Sequence, residues 1–405
     1  MLAAMTATAR LYYDDSLLLA FGARVVGHAT WQGRPSVVLD RTAFYPESGG
    51  QMGDRGSLEG RPVLDVQVDD AEIVHHLLDG PLPEVGSEVK GEIDLVRRRL
   101  YMALHTGQHM LSRALCDRAE ADTISSRLGE NVCTIDVDRA ELDELAVARA
   151  EELVNAVIDD DLGIRAFFPD PGELAALPLR RKPKVESNIR VVAIGDFDVS
   201  PCGGTHCLRT AQVGFVKVTG LERYKGKMRV SFNAGRRARE ELSRQSDLLC
   251  ALGREFTCGP SEVPAAINKL RRELAESRQS LGEARGRLAE RVAEELLSAA
   301  RARGETCVVV VFDDADVVFL RAVAKRITAE AEFVALLAAR SAEGQHVLAA
   351  RGAKNPFDCG TFVKRVAAAY GGRGGGRPEV AEGRLPAAVD WMAAAVHSYA
   401  PSLGG

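Results

Sequence analysis

Two short segments of this 405-residue chain carry side chains that hold metals. In the first, His105 and His109 stand four apart in HTGQHMLSRAL; in the second, Cys202 and His206 flank Gly203-Gly204-Thr205 in CGGTHCLRT. Leu100, Met102, Leu104, Met110, Leu111 and Leu115 make the first segment an apolar helix. Residues i and i+4 of a helix share one face, so both imidazoles can converge on one ion. The Gly-Gly pair permits a tight chain reversal in the second segment. A lone HxxxH is compatible with two ordinary core or surface histidines, but a second chelating pair completes a tetrahedral set of three imidazoles and one thiolate, the donor set of zinc. Cys207 offers an alternative thiolate; its other reading is a small buried apolar residue. Zinc in such a set points to hydrolytic chemistry, with one ligand weak or displaced in turnover, since a closed four-ligand site is otherwise structural.

Four stretches of chain position these groups. Residues 1–95 read as a small β-barrel, with strands at Arg24–His28, Pro35–Leu39, Val63–Val68 and Ile73–Leu78, the last carrying His75 and His76 as structural or exposed residues. Residues 96–240 read as an α+β unit. It opens on the histidine helix and continues with a strand at Val132–Val137, a helix from Arg139 to Asp159, and strands at Val213–Val218 and Met228–Phe232. Residues 241–304 are helical: Ile267, Leu270, Leu274, Leu281, Ala284 and Leu288 fall on near-heptad positions. This stretch pairs either with a second copy in a homodimer or with another helix of its own chain. Gly282 and Gly286 argue against a long straight coil. Residues 305–405 alternate strands and helices as a small α/β domain. It starts with the buried, parallel-type strand Cys307–Phe312, and Lys354 and Asn355 lie in the loop after its third strand.

The motifs HTGQHMLSRAL and CGGTHCLRT resemble the editing domain of alanyl-tRNA synthetases and the free-standing alanyl-tRNA editing proteins. LDRTAFYPESGGQ, from Leu39 to Gln51, is similar to the glycine-rich segment of that family and separates it from the threonyl-tRNA synthetase relatives, which share the metal motif. Leu11-Tyr12-Tyr13-Asp14-Asp15-Ser16 resembles the opening of the free-standing proteins. Gly371–Glu379 is similar to the terminal, DHHA1-like domain of the synthetases, where a glycine loop between two helices would cradle phosphate with Arg373 and Arg377 beside it. One departure is Ala211-Gln212-Val213-Gly214, where the family more often has a Gly-Glu-Ile-Gly type of sequence, which puts a polar contact in doubt.

The resemblance implies an aminoacyl-tRNA hydrolase of α+β multidomain fold, with one Zn2+ per chain held by His105, His109, Cys202 and His206. The substrate implied is mischarged alanine tRNA, seryl first and glycyl second. Thr42 corresponds to the position associated with the serine hydroxyl, and Gln51 is a second candidate for contacting substrate or water. The chain has no room for the synthetase core and is not expected to charge tRNA. The competing reading is a zinc-stabilised tRNA-binding or regulatory protein without catalysis, or a hydrolase of another aminoacyl ester.

Composition agrees with a cytoplasmic enzyme. Hydrophobic residues make up 46% of the chain, enough for real cores. No run of about 18 apolar residues exists, so no membrane span is expected. Arg10, Asp14 and Asp15 interrupt any secretion signal, and Met5 is an alternative start to Met1. The eight cysteines are scattered, which suits thiols and metal ligation rather than a disulfide framework. The net charge of −5 requires that tRNA be bound by local patches. Candidates are Arg97-Arg98-Arg99, the run from Arg180 to Lys184 (above all Arg181 and Lys182), and a hairpin turn at Lys225-Gly226-Lys227-Met228-Arg229.

Overall fold

The structure, a computed structural model, describes residues 7–183 and 185–399. Met1, Met5 and Lys184 lie outside the described residues. The chain divides into two compact units, Met1–Ala251 and Leu252–Gly405.

The first unit opens with a closed barrel of six strands: Ala20–Trp31, Arg34–Leu39, Val74–Leu78, Arg61–Val68, Gly56–Leu58 and Glu88–Ile93 in spatial order. Alternation builds its first strand, whereas Val74–Leu78 is buried throughout. In Ala20–Trp31, Phe21, Ala23 and Val25 point inward while Ala20, Gly22 and Arg24 face water. Phe44, Leu58 and Val66 fill the interior.

The helix Leu95–Ala119 follows directly. Asp94 caps it, accepting the N–H groups of Val96 and Arg97, and Glu120 ends it in the left-handed region at φ 50°. Tyr101 to Ser112 are buried without interruption. Gly107 lets this helix press onto a sheet, since a Cβ there would meet Ala234 Cβ at 3.0 Å and Val216 Cγ2 at 3.2 Å. That antiparallel sheet runs Val216–Tyr224, Lys227–Ala234, Cys133–Val137, Thr123–Leu128. Its hairpin turns at Lys225 and Gly226, both with positive φ. The second helix is Glu144–Asp159; it starts later than expected because Asp143, not a residue near Arg139, supplies the N-cap by accepting Leu145 N–H. A third sheet, Ile164–Phe167, Val191–Ile194 and Asp198–Pro201, is short and was not expected; it delivers the chain to Cys202.

The Arg97–Arg99 candidate patch is largely structural. Arg98 is fully buried, with Nε 3.1 Å from both Asp54 carboxylate oxygens and its other nitrogens donating to Ser16 O and Ala43 O at 2.6 Å. Arg97 Nε donates to Gly53 O at 2.8 Å. These bonds clamp the start of the histidine helix to the residues that flank the FYPESGGQ segment.

In the second unit the helix Val263–Ala302 runs 40 residues without a break at Gly282 or Gly286. Ala289, Ala293, Leu297 and Ala300 pack with Val308, Leu320 and Ile327, whereas Leu270, Leu274, Leu281 and Leu288 are about half exposed. The sheet order is Cys307–Asp313, Val334–Ser341, Gly344–Arg351, Val380–Leu385, Arg373–Gly376. Only the first pair is parallel. Asn355 closes its loop by donating to Glu332 O at 2.7 Å.

The glycine run differs from the expected loop between helices. Arg373–Gly376 is an edge strand, and the chain after Pro378 is a strand rather than a helix, the next helix being Trp391–Tyr399. The physical reason is crowding: a Cβ on Gly374 would lie 2.7 Å from Val363 Cγ1, and one on Gly376 2.5 Å from Ala381 Cα. No described helix is long and apolar enough to cross a membrane.

Candidate metal centre

His105 and His109 project from one face of the buried helix, and Cys202 and His206 come from the turn after Pro201. The four offer one ligand atom each, all within 4.8 Å of one another. Cys202 Sγ lies 3.4 Å from His105 Nε2 and 3.3 Å from His206 Nε2. Standard bond lengths put tetrahedral zinc ligands roughly 3.5 Å apart, so these gaps suit one ion.

The far nitrogens of two of the three rings are held from behind, and the third faces a carboxylate. His105 Nδ1 donates to Gln51 Oε1 at 2.7 Å, and Gln51 Nε2 donates to Thr205 Oγ1 at 2.8 Å. Thr106 Oγ1 lies 3.2 Å from His206 Nδ1 and accepts Cys207 N–H at 3.1 Å. His109 Nδ1 faces Asp198 Oδ2 at 3.5 Å, longer than a hydrogen bond, and Asp198 is gripped by Arg180 Nε at 2.8 Å. Such outer contacts fix ring orientation and leave the inner nitrogens' lone pairs for a metal.

Charge follows the same plan. Burial raises the Cys202 thiol pKa, but the imidazoles around it, His105 first and then His109, outweigh it and hold it well below its usual value. Burial lowers His206 to about 3, so it stays a neutral ligand. Burial lowers His109, and the Cys202 and Asp198 charges more than reverse this. Cys207 is buried outside the cluster, and burial raises it to about 11; it is the apolar residue, not the ligand. Three imidazoles and a thiolate therefore fit zinc on donor chemistry as well as spacing.

Neither glycine of the turn has positive φ, and Gly204 is required by space rather than by backbone freedom. A Cβ on Gly204 would lie 2.2 Å from His105 Cε1. Gly49 and Gly50 do have positive φ, of 59° and 88°. They turn the FYPESGGQ segment so that Gly50 O accepts Leu128 N–H at 2.7 Å and Gln51 reaches the cluster. Gln51 thus stands behind His105.

Thr42 lies in the barrel wall, fully buried. Its Oγ1 is 2.9 Å from His76 Nε2 and accepts Phe44 N–H at 3.1 Å; neither partner is one of the four ligands. His76 and His75 are both buried, as structural residues. Arg181 and Lys182 are exposed, and Arg181 Nη2 reaches Pro201 O at 3.3 Å, beside Cys202. Arg373 and Arg377 are exposed in the second unit. At the departure Ala211–Gly214, Gln212 Oε1 accepts Leu208 N–H at 2.9 Å, so a polar contact is retained. Sequence reasoning missed Arg190, Thr106 and Asp198, which touch the cluster only through the fold. A buried helix with a threonine between its two histidines was the one available signal.

Comparison with known proteins places this architecture. Residues 189–231 match the threonyl and alanyl tRNA synthetase second additional domain, 7–97 match the class II (A) tRNA synthetases, and 304–400 match the DHHA1 domain. The alanyl-tRNA editing protein AlaX-L of Pyrococcus horikoshii is 32% identical over 397 residues, covering 93% of this chain and 95% of its own. The alanine–tRNA ligase of Archaeoglobus fulgidus is 31% identical over 407 residues, covering 95% of this chain but 43% of the ligase. The C-Ala domain from Aquifex aeolicus alanyl-tRNA synthetase overlaps 24% of this chain and 91% of its own at 22% identity, with a TM-score of 0.23. The chain belongs to the alanyl-tRNA editing protein family.

Proposed function

We propose that the protein hydrolyses the ester of mischarged alanine tRNA, Ser-tRNA(Ala) first and Gly-tRNA(Ala) second, at a zinc ion held by His105, His109, Cys202 and His206. The observation that carries this reading is the preorganised cluster of three imidazoles and a thiolate. Zinc bound there would polarise an ester carbonyl or orient a water. The protein's own part is positioning: Gln51 and Thr106 hold two of the imidazoles, Asp198 faces the third, and Arg181 and Lys182 supply cations for the RNA near Pro201. Phosphate contacts of this kind fix position and read no sequence. Arg373 and Arg377 serve the same purpose in the second unit. The leucine stripe of the long helix is the contact of a homodimer, which sedimentation would reveal as twice the chain mass.

Selectivity is assigned to Thr42. With His76 neutral and its Nδ1–H directed at Val37 O, the Thr42 hydroxyl donates to His76 Nε2 and accepts from Phe44. One lone pair remains to accept a serine hydroxyl, a partner that alanine lacks. In a deacylation assay with zinc-loaded protein, Thr42→Val should slow seryl-tRNA hydrolysis about tenfold at unchanged zinc content. Equal loss of activity and zinc would assign Thr42 to folding. No hydrolysis by wild type with zinc bound would favour the second reading, a zinc-stabilised tRNA-binding protein, which a closed four-ligand set also suits. Faster cleavage of free aminoacyl esters than of aminoacyl-tRNA would point to another hydrolase.

A further inference from the structure

The rim of the metal centre carries a group the chemistry above does not use. Arg190 is 5% exposed. Its Nη1 donates to Cys202 O at 3.1 Å and Gly204 O at 2.8 Å, which pins the turn. Its Nε is buried without a hydrogen-bond partner, and the charged group beside it is the Cys202 thiol rather than a carboxylate. The edge formed by Nε and Nη2 is the one with which a guanidinium grips a phosphate in two parallel bonds. Leaving such an edge bare inside a protein is costly unless a ligand completes it.

Beside it is an aromatic pair. The Arg190 guanidinium lies 5.1 Å from the Tyr13 ring centroid. Tyr13 packs edge-on against Phe168 at 5.7 Å, and Phe168 is 49% exposed. Tyr13 Oη accepts Arg10 Nη1–H at 2.8 Å and faces Gly203, the exposed residue next to Cys202. Tyr13 thus links an unpaired guanidinium edge to a half-exposed ring beside the cluster.

We propose that Arg190, Tyr13 and Phe168 form a nucleotide subsite, with the backbone phosphate on the Arg190 edge and a base on the Phe168 ring, taking the last unpaired nucleotide of an RNA 3′ end. The inference rests on the deacylase reading for the identity of that end, and its chemistry stands apart from hydrolysis. Stacking on an exposed ring accepts any base, so the subsite holds the end without reading it.

The test is binding to the full zinc-loaded chain, followed by calorimetry. The trinucleotide CCA should bind Phe168→Ala about tenfold more weakly than wild type, with zinc content unchanged, and Phe168→Trp should restore affinity. Adenosine 5′-monophosphate should bind wild type at least tenfold more tightly than adenosine, and added salt should narrow that gap. Equal CCA affinity of wild type and Phe168→Ala, or equal affinity of the two adenosine ligands, would overturn the subsite. The two readings separate cleanly. Ring-dependent binding without deacylation keeps the subsite and removes the enzyme; deacylation with ring-independent binding does the reverse.

Discussion

At Gly204 the cluster has no room for a single carbon. A methyl group there would overlap the His105 ring and lie 3.0 Å from Gln51 Oε1, so Gly204→Ala must displace the ligand or its support. Zinc affinity, measured by competition with a chelator, should fall about 10- to 100-fold, the range seen when outer contacts of a metal site are lost. His76 makes the opposite kind of prediction, about protons. Burial holds it near 4 instead of 6.5. Between those values the unfolded chain takes up a proton that the folded chain refuses, so stability is lost as pH falls from about 6.5 to 4. The loss attributable to this residue is about 3 kcal/mol at most. His76→Gln cannot titrate, so its stability deficit relative to wild type should shrink by that order between pH 7 and pH 4.5 in denaturant titrations. The cluster of His105, His109, Cys202 and His206 was legible in the sequence because a metal-type donor set depends on side-chain type and short spacing. The contacts behind them were not: Gln51 was named only through the resemblance and for another role, and it meets His105 across 54 positions, while Thr106 meets His206 across 100, and no local pattern encodes such pairs.

Elements join through a few buried bonds, and the pair Arg98–Asp54 is the clearest. It fastens the histidine helix to the segment that carries Gln51, and Asp54 also accepts Tyr45 N–H at 2.6 Å. Arg98→Met leaves a buried carboxylate without its cation and should destabilise the first unit by about 3–5 kcal/mol; adding Asp54→Asn should recover part of that. Chemical denaturation of the three proteins measures it. Regular elements were legible where apolar periodicity was strong, as in Cys307–Asp313 and the histidine helix. The strands before Cys202 are four residues each, with too few alternations to stand out. Arg373–Gly376 was misread because glycine signals a loop by composition, whereas here its lack of a side chain lets a helix and two strands close up. Arg98 was read as part of a candidate tRNA-binding patch for a related reason: sequence shows the charge but not the carboxylate that buries it.

All four ligands lie within Met1–Ala251. A chain ending at Ala251 should therefore bind one zinc as the full chain does, yet cleave intact seryl-tRNA far more slowly than a short acceptor-stem mimic if Arg373 and Arg377 anchor the RNA. Equal rates on intact tRNA would move the anchor into the first unit. The ligands also tie together distant parts of the chain: Cys202 and His105 are 97 positions apart. An ion joining them acts as a cross-link, and closing a loop of that length in the unfolded chain removes a large share of its freedom. By that measure an ion held there would be a staple of the fold as well as a reagent. Its removal should lower the melting temperature of the first unit and leave that of the second in place, so that one thermal transition becomes two as the ion is withdrawn.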